Sequence, residues 1–332
     1  MSLRMVPCGP ERYGEWDRFR EEHPACPLFH SRPWLNLLAR HQAARLDMYL
    51  IEDTRGVAGI FPVFSRNYVV ARVFSSPYVV TDTPYLGPLV RADVPDRDLW
   101  STLLAHARNG GMDFLRMFTR VGVPLPDIDP ALASVQRKTT HVLDLTLGEN
   151  ALWEGMEGRC RTAVRKALKD GVAVGEAAGD GFIDRYVDML EGVYARQGLA
   201  SPNARPFYRE MWSMFGGREI IGLMAVHEGR DIAGALFVMD PHDAYYISGA
   251  SVSDAGQVSP NNILQWEAIR LAMARGVNRY DFVGSDIPRI AKFKQSFGGM
   301  LHEYWCIEAA PSRLARLMRE AYPWLKRRLG RV

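Results

Sequence analysis

Apolar runs of strand length meet charged turns along this chain and return as further apolar runs, and two such segments read alike. Residues 49–64 (YLIEDTRGVAGIFPVF) and 223–239 (LMAVHEGRDIAGALFVM) each carry an apolar strand into an Arg-containing turn and back through Ala-Gly. Arg55, Ala58, Gly59 and Val63 fall on Arg230, Ala233, Gly234 and Val238, 175 residues apart. Charged turns between apolar runs are hairpin signals. Downstream of the first hairpin the pattern predicts a strand at 84–90 (PYLGPLV), a helix over about 95–109 and a strand at 114–118. Downstream of the second it predicts a strand at 244–252, a helix over about 260–275 and a strand at 279–283. A shared order at this spacing is the mark of an internal duplication. Hairpins followed by a helical crossover imply an α/β fold with mixed sheets and helices on their faces.

The boundary between the copies is expected after residue 147, where Gly148-Glu149-Asn150 opens a helical stretch. This gives units over 1–147 and 148–310 and a tail over 311–332. At 332 residues, with 47% apolar composition, the chain can fill two cores. The tail holds seven Arg or Lys against one Glu, interleaved with Leu, Met and Trp324. It reads as a packed segment with a solvated basic face, or as a contact for tRNA or an anionic bilayer. Over the whole chain 41 Lys and Arg nearly balance 38 Asp and Glu, so no polyanion-wide signature exists. Cys8, Cys26, Cys160 and Cys306 are scattered without a CxxC pair, which points away from a zinc site or disulfide framework and toward the cytoplasm. No apolar run reaches membrane-spanning length. No metal site is expected.

Three stretches carry candidate chemistry. In 160–169, Cys160, Ala163, Val164, Ala167 and Leu168 form an apolar face and Arg161, Arg165, Lys166 and Lys169 a basic one. That basic face is either simply solvated or an anion platform, since Arg forks hold phosphate oxygens. In 257–276, Ser259 reads as an N-cap and Pro260 as the first helical residue, with the Asn261 and Asn262 amides beside the exposed N–H groups. In 276–299, a strand carrying Tyr280 and Asp281 leads through a loop to Lys292, Phe293, Lys294 and a Gly298-Gly299 turn. Lys294 offers a cation for an oxyanion, and Asp281 a carboxylate that takes a proton or orients Lys294.

Taken together, residues 29–38 (FHSRPWLNLL), 84–90, the R-x-x-x-R-K-A-x-x-x-G-V arrangement of 161–172, 194–198 (YARQG), the 260–269 helix, 279–284 (RYDFVG) and 293–299 (FKQSFGG) resemble the Fem-type transferases of acetyltransferase-like (GNAT) fold. The resemblance implies two tandem GNAT-like domains. It also implies transfer of an aminoacyl group from aminoacyl-tRNA to an amine, on a peptidoglycan precursor, small peptide or antibiotic. An acyl-CoA or acyl-carrier N-acyltransferase and a non-catalytic binding protein are the alternatives. The family's F-K-x-x-F pattern falls on Phe293 and Lys294, placing Lys294 at the reacting carbonyl. On this reading no cofactor is permanently bound, Lys294, Asp281 and Tyr280 serve catalysis, and Arg161 and Arg196 hold phosphates. The sequence departs from the family in lacking its long helical arm. It also lacks the Gly-rich pyrophosphate loop of ordinary acetyltransferases, which counts against ordinary coenzyme A binding.

Overall fold

The computed structural model describes residues 2–23, 28–67, 71–78, 81–179, 181–201 and 203–310, so the basic tail at 311–332 lies outside the described residues. The chain divides into two compact units. The first takes residues 1–79, 85–138 and 303–332, and the second takes 80–84 and 139–302. The division at 138/139 falls within one strand, β7 (Ala133–Asp144), while the sequence pattern put the boundary between the copies after residue 147.

In the first unit, strand β1 (Arg4–Pro7) and helices α1 (Tyr13–Glu22) and α2 (Arg32–His41) precede the hairpin of β2 (Arg45–Asp53) and β3 (Gly56–Asn67). β4 (Arg72–Ser76), β5 (Leu89–Val90), α3 (Asp96–Asn109), β6 (Phe114–Phe118) and the start of β7 (Ala133–Asp144) follow. The chain returns at its far end with β13, residues Met300–Ala309. α2 starts where Ser31 accepts the Trp34 N–H at 3.3 Å, and its Trp34, Leu35, Leu37 and Leu38 are fully buried. β4 runs parallel to β6 with α3 as the crossover. The strand expected at 84–90 is a correction: only Leu89 and Val90 pair, on β3. Pro84 and Pro88 lack a donor, and Gly87, at φ +52, lies where an added Cβ would stand 2.5 Å from the Phe118 carbonyl oxygen. The strand that completes the pattern is instead the short β4.

In the second unit come α4 (Glu149–Gly155), α5 (Gly158–Lys169), β8 (Ala173–Glu176), α6 (Gly181–Ala195) and α7 (Arg205–Phe215). The hairpin of β9 (Ile220–His227) and β10 (Arg230–Met239), then β11 (Asp243–Ser251), α8 (Pro260–Ala274), β12 (Arg279–Asp281) and α9 (Pro288–Gln295) complete it. The strand order is β7-β12-β11-β10-β9-β8, with β11 and β12 parallel around the α8 crossover. Hairpin, strand, helix and parallel strand therefore recur in both units, as the duplication predicts. α8 buries Ile263, Leu264, Trp266, Ala268, Ile269 and Ala272 because α5 covers the side that the sheet does not. On α5, Cys160, Val164 and Ala167 are buried, whereas Leu168 is exposed, so the apolar face is narrower than its spacing suggested. No helix among the described residues is long and apolar enough to cross a membrane.

Candidate active site

β12 pairs with β11 only through Asp243, Ala244 and Tyr245. Beyond them β11 continues to Ser251, and its register on β10 slips between Tyr246 and Ser248, leaving Ile247 as a bulge. A parallel pair that parts beside a bulge leaves strand N–H and C=O groups facing a gap, where an extended ligand can pair.

The chain leaving β12 stays on β7, the Phe282 N–H donating to the His141 carbonyl at 3.0 Å and the Ser285 N–H to the Thr139 carbonyl at 2.7 Å. Val283 and Gly284 are both left-handed, with φ +54 and +67. For a β-branched Val this conformation is strained and needs support. Asp281 supplies it, accepting the Val283 N–H at 2.7 Å and the Thr140 hydroxyl at 2.6 Å. The turn points the Val283 and Gly284 carbonyls at Lys294 Nζ, which donates to both, to Gly284 at 2.5 Å. Lys294 is buried. Burial lowers its pKa to about 8, while the Asp281 and Asp286 carboxylates pull the other way. The His141 ring bonds the Ser285 hydroxyl at 2.8 Å. Its pKa is lowered by burial and by the Lys294 ammonium. The site therefore presents one buried cation on a carbonyl cradle, aimed by a carboxylate. Such a group stabilises negative charge that develops on a substrate oxygen.

The structure joins Lys294 and Asp281 and separates other candidates from them. Tyr280 is fully buried and donates to Gln265 at 2.6 Å inside the core. Arg161 donates through Nη1 to the carbonyls of Glu154 and Met156, at 2.8 and 2.5 Å, so its fork closes the C-terminal end of α4. Arg165 lies over the Trp153 ring at 5.2 Å. Arg196 is exposed and donates to the Ser251 carbonyl at 2.9 Å, at the end of β11. Lys292 is exposed and Phe293 packs on Phe297, their ring centres 5.4 Å apart. Ser259 precedes α8 as expected but is left-handed and makes no side-chain cap; its carbonyl accepts the Asn262 N–H at 3.1 Å, and Asn261 is exposed. The Asn262 amide points at Cys160 Sγ, 3.4 Å away. Lys166 Nζ donates to the Gln257 carbonyl at 2.5 Å, which sets the basic side of α5 next to the approach to α8.

A second polar group escaped the sequence reading. Asp82 accepts from the Asn203 amide at 3.1 Å. The fully buried Tyr208 hydroxyl lies beside it without a well-formed hydrogen bond. Enclosure by protein raises the Asp82 pKa to about 6, yet the residue keeps some accessible surface, as a group on a cleft wall does. Tyr186, packed against Tyr208, donates to the Ser248 hydroxyl at 2.6 Å, next to the β11 bulge. No spacing signal links Asp82 to α6, α7 or β11.

Comparison with known proteins agrees with this geometry. Residues 157–295 match the family model described as an acetyltransferase (GNAT) domain. A segment of 59 residues is 37% identical to the lipid II:glycine glycyltransferase of Staphylococcus epidermidis, covering 18% of this chain and 14% of that protein. The chain thus spans about a seventh of the length of this curated relative. Among solved structures, FemX superposes with a TM-score of 0.64 at 14% identity, over 92% of this chain and 97% of its own. A tandem GNAT protein from the clavulanic acid biosynthesis pathway superposes with a TM-score of 0.57 at 16% identity, over 93% and 99%. The match to the acetyltransferase (GNAT) domain model is confined to residues 157–295, and the fold of the chain is that of two GNAT-like units in tandem.

Proposed function

We propose that this chain is a Fem-like aminoacyltransferase that moves an aminoacyl group from aminoacyl-tRNA to the amine of a peptidoglycan precursor or small peptide. The observation that carries the reading is Lys294, a buried ammonium on the carbonyls of Val283 and Gly284 where β11 and β12 part. The identity shared with a lipid II:glycine glycyltransferase supports an aminoacyl group as cargo and a peptidoglycan precursor as acceptor. In the proposed reaction the amine nitrogen attacks the aminoacyl carbonyl carbon. The new C–N bond forms as the ester C–O bond to the tRNA ribose breaks, and the proton shed by nitrogen ends on the leaving oxygen. Lys294 holds the carbonyl oxygen as charge develops. Asp281 acts through Lys294, fixing the turn and favouring the charged amine, rather than as the base. Tyr280 is a packing residue in this scheme. The start of α8, which carries no acidic residue in its first turn, and the basic residues Arg165, Lys169 and Arg196 of the same unit suit the phosphates of the tRNA end. Charged tRNA places the reaction in the cytoplasm. A lipid-linked acceptor would draw the basic 311–332 segment to an anionic bilayer.

The second reading is an acyl-CoA N-acyltransferase, favoured by the acetyltransferase description of residues 157–295. Titrating the protein with glycyl-tRNA, uncharged tRNA and acetyl-CoA decides between them. Preference for charged over uncharged tRNA is expected; saturable acetyl-CoA binding with no such preference replaces the aminoacyl donor by an acyl-CoA.

A further inference from the structure

Asp82 lies far from the Lys294 loop in sequence, yet the 80–84 segment belongs to the same compact unit. Among the described residues, the side chains that act on its carboxyl are Tyr208 and Asn203, and no Lys or Arg is one of them. Around it stand phenols: Tyr208 beside it, Tyr186 behind with ring centres 6.2 Å apart, and Tyr194, which feels its charge. An acid enclosed by aromatic rings without a cation is poorly solvated and lacks its natural counter-ion. The buried Tyr208 hydroxyl adds a second unmet demand, since a buried O–H without a good partner costs on the order of 1–3 kcal/mol. One ligand group satisfies both: a primary amine, whose several N–H bonds reach carboxylate and phenol oxygens while its carbon stem lies against the rings. The hydrogen bond from Tyr186 to Ser248 ties this group of side chains to β11 beside its bulge.

We propose that the Asp82–Tyr208 pocket receives the acceptor's primary amine and that Asp82 is the base for its transfer, an inference that rests on the acyl-transfer reading above. The amine lone pair forms the bond to the acyl carbon and the acyl–oxygen bond to the donor breaks. The proton that nitrogen sheds passes to the Asp82 carboxylate and on to the leaving oxygen. Asn203 holds the carboxylate's other oxygen environment fixed, and Tyr208 orients the nitrogen. Bulk is excluded by the rings, so the pocket selects an unbranched amine.

The test uses the full-length chain, Asp82→Asn and Tyr208→Phe. Each is titrated with glycinamide and with N-acetylglycinamide by saturation-transfer NMR, and with glycyl-tRNA by filter binding. Glycinamide is expected to saturate the wild type, and N-acetylglycinamide is not. Asp82→Asn weakens glycinamide at least tenfold and Tyr208→Phe several-fold, with glycyl-tRNA binding unchanged in both. Equal binding of the two probes, no glycinamide binding by the wild type, or undiminished binding by Asp82→Asn overturns the pocket. Glycyl-tRNA binding without glycinamide binding removes the pocket and keeps the aminoacyl donor. Glycinamide binding without glycyl-tRNA binding keeps the pocket and removes that donor. Should Asp82→Asn fail to fold by circular dichroism, the two probes on the wild type and Tyr208→Phe decide.

Discussion

Replacing Lys294 by Met keeps the length and burial of the side chain and removes only its charge and donors, so it separates chemistry from fold. Two opposing stability effects follow from the geometry. Burial moves the amine's pKa from 10.5 to about 8, so holding it charged at neutral pH costs roughly 3 kcal/mol. Against that, its hydrogen bonds to the Val283 and Gly284 carbonyls are worth about 1.5–3 kcal/mol each, as bonds to a charged group. The variant should therefore shift unfolding free energy by less than about 3 kcal/mol in urea melts. Activity has no such offset: loss of one oxyanion donor costs about a hundredfold or more. Single-turnover transfer from glycyl-tRNA measures it. The pH profile carries the sign. If the ammonium is the working form, the rate falls as pH rises through about 8. A rate that rises through the same range would make Lys294 a base, and near-wild-type turnover by Lys294→Met would remove it from the reaction.

Other variants test the remaining assignments. Arg161→Ala opens the carbonyl end of α4 and should cost about 1–2 kcal/mol in thermal melts while leaving donor affinity unchanged; weakened tRNA binding by a fully folded variant would return Arg161 to the phosphates. Gly298→Ala puts a Cβ 2.6 Å from the Gly155 carbonyl oxygen at φ +86, so it should destabilise by about 2 kcal/mol or more, and a melt within error of wild type would refute the close approach. Asp82→Asn should stabilise the fold at neutral pH. The folded carboxyl's pKa is raised from 3.8 to about 6, so the wild type loses stability as pH climbs through that window, by up to about 3 kcal/mol and less for a group with some solvent access. Wild type and variant should match near pH 3.5 and diverge by pH 7; parallel curves would show an ordinary carboxylate.

The hairpins were legible because period-two patterning and charged turns are local signals, and the same holds for α3 and α8. What failed depended on which way a side chain faces once packed. Tyr280 and Asp281 are neighbours, yet successive strand residues point to opposite faces. One reaches Gln265 in the core, and the other reaches Thr140 on β7 and the Val283 N–H of the turn. Arg161 sits where helical spacing put it, on the polar side of α5, but the end of α4 arrives there and takes its donors. Asp82 was unreadable in principle, because Asn203, Tyr208 and Tyr186 meet it only through the fold.

The duplication also explains why the candidate chemistry falls in one unit. Both units carry the same parallel crossover, β4-α3-β6 and β11-α8-β12. A helix start in this position attracts anions through its free N–H groups and partial positive charge. α3 fills its own first turn with Asp96 and Asp98. Asp96 is further committed, accepting from Trp100 Nε1 at 2.6 Å and from the Asp127 N–H at 2.7 Å. Those carboxylates neutralise the helix end and repel a phosphate-bearing donor. α8 has no acidic residue in its first turn, no capping side chain, and two neutral amides. The second copy thus keeps a helix start free of carboxylates, and the first copy retains the scaffold without that feature.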